Sequence, residues 1–115
     1  MPKTRKSAAT KCAEAKRSLR RIEPGLRSAA SFMFRGRKAK AIDKLKSVLQ
    51  TAADINREIH LKILSEFVRK GMFFQAKLEG MEKIEPVSSK LSKAFDPIFD
   101  LAKRAVREAQ RETCA

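Results

Sequence analysis

The stretch RKAKAIDKLKSVLQTAADINREIHLKILSEFVRK, residues 37–70, decides the fold. It holds neither glycine nor proline, and its apolar residues recur every three or four positions, the spacing of one face of an α-helix. On a wheel of about 100° per residue, Ile42, Leu45, Val48, Leu49, Ala52, Ile55, Ile59, Ile63 and Phe67 share one broad face. A single helix is predicted here, about 50 Å long at roughly 1.5 Å per residue. One short chain can hardly cover so long a face alone. Ile42, Leu45, Leu49, Ala52, Asn56, Ile59 and Ile63 also fit a heptad seam, with Asn56 at a core position where a buried amide sets the register of paired helices. An ordinary bundle core with Asn56 at its edge fits equally well. Either way, a homodimer with the long helices antiparallel covers the stripe.

Working outward, helix formers dominate, Tyr and Trp are absent, and neither sustained period-2 alternation nor an Asn-Gly or Asp-Gly hairpin signal occurs. The chain reads as all-α. Breaks are expected at Pro24-Gly25, Gly36, Gly71, Gly80, Pro86 and Pro97, with Asp96 as an N-cap ahead of a first-turn proline. They outline helices over 8–23, 26–35, 37–70, 72–84 and 97–112. Pro24 fits equally inside one kinked N-terminal helix running to Phe34, and Ser88 or Ser89 offers a cap for an earlier turn before Pro97. The expected architecture is a small helical bundle with one long central helix, completed as an antiparallel four-helix core in a homodimer.

The 115 residues suit one domain, and an apolar share of 43% is enough for a core. The 27 Lys and Arg against 13 Asp and Glu give a net charge of +14, beyond what solubility needs, and point to a polyanionic partner. Nucleic acid is the first candidate and an anionic membrane surface the second. Residues 1–40 hold 13 basic and 2 acidic residues, or +11, and residues 41–115 hold 14 and 11, or +3. The polyanion contact should therefore begin in the N-terminal third. Residues 1–7 are expected to be a disordered basic tail, 8–85 the helical binding and dimerisation core, and 86–115 a helical extension.

Arg37, Lys40, Lys44, Thr51, Lys62 and Arg69 fall within about 60° of one another on the long helix, interrupted only by Glu58. Such a row, repeated by a dimer, meets phosphates and 2′-hydroxyls along one side of a duplex without reaching base edges. A-form RNA suits this geometry, because its deep narrow major groove hides base edges and proteins read its shape and backbone instead. Lys38 and Lys70 join these as candidate RNA contacts.

The order RRIEPGLRSAASFMFRGRK, AIDKLKSVLQ, VRKGMFFQAKLEG, spanning residues 20–80, resembles the small RNA-silencing suppressors of nodaviruses. That resemblance implies a four-helix core made by two chains, lying along one face of double-stranded RNA and touching successive minor grooves and the backbone between them. It gives Lys40, Lys44, Arg57 and Lys62 the backbone contacts. It also implies shielding of duplex RNA from dicing and of small interfering RNA from loading. The sequence departs from the pattern at Thr51, where a lysine is expected, at Glu58 within the stripe, and in a long helix about a turn longer. The basic N-terminus and the helix over 97–112 have no counterpart; Glu108 and Glu112 beside Lys103, Arg104, Arg107 and Arg111 suggest a solvated helix with internal ion pairs.

Met72, Phe73 and Phe74 cluster too tightly to face water and are assigned to the core, folding back as a lid after Gly71, in preference to a stacking platform for bases. Phe32, Met33 and Phe34 are read likewise. His60, the only histidine, is a packed or capping residue, and neither a catalytic constellation nor a phosphate-binding glycine loop is seen. No enzyme, metal or cofactor is expected. Cys12 and Cys114, near opposite ends, suggest no disulfide framework. Without a secretory signal or an apolar run of about 20 residues, the expected location is the cytoplasm or nucleus with reduced thiols, although the Arg- and Ser-rich start also fits a mitochondrial transit peptide. The alternative function is a general structural protein of a ribonucleoprotein or of chromatin.

Overall fold

The long stretch folds back on itself. In the computed structural model, which describes residues 8–86 and 88–114, helix α3 (Lys38–Ile59) stops at His60 and helix α4 (Lys62–Gly80) starts two residues later. His60 takes the left-handed conformation (φ 58°), which histidine tolerates better than a β-branched residue, and its N–H caps α3 on the Asn56 carbonyl. The Asn56 side chain then builds the turn: its Oδ1 accepts from Leu61 N (2.8 Å) and its Nδ2 donates to Ser65 Oγ (2.7 Å). Asn56 is therefore a half-buried hinge residue between two helices and sets no register in a longer one. The expected helix over 37–70 is corrected accordingly.

Upstream, α1 (Ala8–Ser18), one 3₁₀ turn (Leu19–Arg21) and α2 (Ile22–Phe34) follow without a gap and form an N-terminal rod. Pro24 sits in the first turn of α2, where its missing N–H costs least, so the reading of one helix running to Phe34 holds and the break at 24–25 does not. Gly36, at φ 74°, makes the turn into α3. Downstream, α5 (Ser89–Arg111) is capped by Ser88, whose Oγ accepts from Leu91 N (3.3 Å). Asp96-Pro97 thus lies inside a helix instead of opening one. Pro97 is exposed, so the carbonyl it leaves without a helical partner faces water.

The rod packs on α3, α3 on α4, α4 on α5, and α5 back on α2, each antiparallel to the next, so four rods close a bundle within one chain. Two glycines read as breakers are contact points inside helices. A Cβ on Gly25 would lie 2.4 Å from Val48 Cγ2, and one on Gly71 would lie 2.3 Å from Leu49 Cδ2. Both let a neighbouring backbone approach α3. Gly71 therefore does not end a helix, and the helix expected over 72–84 is the second half of α4.

Ile42, Leu45, Val48, Leu49, Ala52, Ile55, Ile63 and Phe67 are buried and Ile59 is partly so, all in a core shared with Leu19, Ile22, Leu26 and Met33 of the rod and Leu91, Phe95, Ile98 and Leu101 of α5. The stripe that called for a second chain is thus covered by the first. Phe32 and Phe34 are half-buried at the edge of this core. Among the described residues no charged or polar side chain is buried. Among the described residues no helix is long and apolar enough to cross a membrane either. The tail over residues 1–7 lies outside the described residues.

Cys12 and Cys114 form a disulfide, against the sequence expectation of reduced thiols. Their separation of 102 residues concealed the pair: closing the bundle sets the start of the rod beside the end of α5, with Cα atoms 5.6 Å apart. Lys16 Nζ donates to the Glu112 carbonyl (2.6 Å) at the same junction.

Candidate nucleic-acid interface

The expected basic row divides at His60. Arg37, Lys40, Lys44 and Thr51 stay with α3, whereas Lys62, Arg69 and Lys70 belong to α4, which runs the other way. No continuous stripe exists. Several members also have local partners. Lys38 Nζ donates to the carbonyls of Glu79 (3.2 Å) and Met81 at the end of α4, a cation closing a helix C-terminus. Thr51 Oγ1 donates back to the Ser47 carbonyl (3.0 Å). Arg57 pairs with Asp54, and Lys70 with Glu66 (3.2 Å). Lys40 stands over the Phe32 ring, 5.6 Å from its centroid, which draws it against the rod. Arg37 and Lys44 are exposed.

The densest positive surface lies on the rod itself. Between residues 11 and 35 the exposed positions are Lys11, Ala13, Arg17, Arg20, Arg21, Pro24, Arg27 and Arg35. Six of the eight are cations and none is an acid, because Glu14 and Glu23 sit on the half-buried flanks. The periodicity explains this sorting: Ala15, Leu19, Ile22, Leu26, Ala29 and Met33 take the inner face, and the arginines between them can only point out. From Arg17 to Arg35 the ridge extends about 27 Å at roughly 1.5 Å per residue.

Neighbouring helices brace and extend it. On the α5 side, Arg27 and Lys103 lie over the Phe99 ring, 5.8 and 4.8 Å from its centroid, so cations from two helices meet on one aromatic surface. Lys40 and Lys44 of α3 share a groove with Phe32 of the rod and with exposed Asp43. The contacts named from sequence begin at Arg37 and include none of Arg17, Arg20, Arg21, Arg27 and Arg35, whereas Lys103 is there weighed as a further RNA contact against a solvated helix. The signal was in the charge count, where the first 40 residues carry +11, and inner-face periodicity would have turned it into positions.

A second surface lies in the groove between α3 and α4. Met72 and Phe73, assigned to the core from sequence, are 59% and 71% exposed. The three apolar side chains project over more than half the helix circumference, so only Phe74 reaches the core, where its ring meets Phe95 at 5.8 Å. Arg57 and Arg69 line the same groove as Met72 and Phe73, with exposed His60 at its end.

No family model, no curated protein and no solved structure matches this chain.

Proposed function

We propose that the chain binds nucleic acid without sequence preference, gripping the phosphate backbone of duplex RNA with the outer face of its N-terminal rod. One observation carries this reading: six cations and no acid occupy the eight exposed positions from Lys11 to Arg35. Surface charge arranged only for solubility intersperses both signs. A ridge of arginines about 27 Å long favours a regular, stiff backbone, and each guanidinium can fork onto a phosphate. Affinity then comes from counterion release, and sequence enters weakly.

The choice of RNA over DNA, and the shielding of duplex RNA from dicing and of small interfering RNA from loading, follow from the resemblance to the nodavirus suppressors. The expected homodimer also belongs to this proposal. With the apolar stripe covered inside one chain, two copies would have to meet on another surface, and light scattering at the binding concentration reads the mass directly.

Competition at about 150 mM salt tests the choice of ligand, with a labelled RNA duplex and unlabelled duplex RNA, duplex DNA and single-stranded RNA as competitors. Preferential competition by duplex RNA over duplex DNA supports recognition of the A-form helix. Equal competition by both duplexes gives a general polyanion grip, as in a structural protein of a ribonucleoprotein or of chromatin. Absence of binding overturns the proposal.

A further inference from the structure

Phe73 is the most exposed large apolar residue in the molecule's described part, in a chain that buries most of its other large apolar side chains. Its surroundings are built rather than incidental. Small Ala53 and Ala76 leave an open groove of about 700 Å³ between α3 and α4, with Met72 and Val68 lining it. Arg57 and Arg69 stand beside this apolar surface and His60 closes one end. The groove lies on α4, which sits across the bundle from the arginine ridge of the rod.

The charge decides between occupants. A second copy would bring its own Arg57 and Arg69 to the contact, like charge against like. An anionic partner with flat apolar faces satisfies the ring and both arginines together. Resting on the nucleic-acid reading above, we infer that this groove is a second RNA site, which takes unpaired bases of a single strand. A base stacks on the Phe73 ring against Met72, and the adjoining phosphates meet Arg69 and Arg57, the latter exchanging Asp54 for phosphate. Stacking of this kind tolerates every base, so the site adds strand-state selectivity without sequence selectivity. One chain would thus hold duplex on the rod and an unpaired end or loop on α4.

The chain contains no tryptophan, so Phe73→Trp introduces a single indole at the surface, without touching the core. Its emission is followed while an unstructured oligouridylate of about ten nucleotides, or a blunt RNA duplex, is titrated in. Stacking predicts quenching by the oligouridylate and little response to the duplex. Phe73→Ala should weaken oligouridylate binding by about 5-fold to 150-fold and leave duplex affinity within about twofold. Unchanged emission at saturating oligouridylate would overturn the inference. So would a blue shift that grows with protein concentration in the absence of RNA, which would assign the groove to a second copy. If the duplex binds and the indole stays silent to saturating oligouridylate, the second site alone fails; if neither RNA binds, the function proposed above fails with it.

Discussion

Gly71 shows how one residue type carries two meanings. From sequence it ends a helix; in the fold it sits on the inner face of α4, where a single methyl group would press on Leu49. Gly71→Ala is therefore expected to destabilise by about 1 kcal/mol, an overpacking cost of about 1–3 offset by about 1 from better helix propensity. Urea unfolding measures the difference, and a more stable variant would contradict the close α3–α4 approach. Arginine shows the converse. Arg20 and Arg27 were unremarkable in a basic N-terminus, and burial of the neighbouring Leu19, Ile22 and Leu26 gives them one direction.

At the scale of elements, the apolar period was legible and the turn within it was not. Residues 42–67 keep helical spacing on both sides of His60, so a wheel drawn through them stays in phase and implies one long helix. The interruption uses Asn56, His60 and Ser65 rather than glycine or proline, and its hydrogen bonds depend on where the chain folds back. Ser88 was legible as a possible cap because its chemistry is local. The fold class followed from periodicity, but the number of chains needed to bury the stripe did not, since one helix of about 50 Å and two of half that length present the same residues. The candidate site suffered in consequence: Lys44 and Lys62 shared a face only while the helix was continuous.

For the whole molecule, the Cys12–Cys114 bond fastens the first helix of the bundle to the last and closes a loop of nearly the full chain. Constraining so long a loop should stabilise by about 2–4 kcal/mol. Dithiothreitol is thus expected to lower Tm by about 10–15 °C. An unchanged Tm would mean that the bond adds nothing to the closed bundle. The closed bundle also fixes the ridge: the rod is held by α3 on one side and by α5 on the other, so Arg17 through Arg35 form one preformed surface. The salt dependence of blunt RNA duplex binding, compared between the wild-type chain and an Arg20→Gln and Arg27→Gln double variant, tests that claim most directly. If both arginines hold phosphates, the slope of log K against log salt becomes shallower by about two, affinity falls, and circular dichroism stays the same. An identical slope and affinity in the variant would contradict it and remove the rod face from the account.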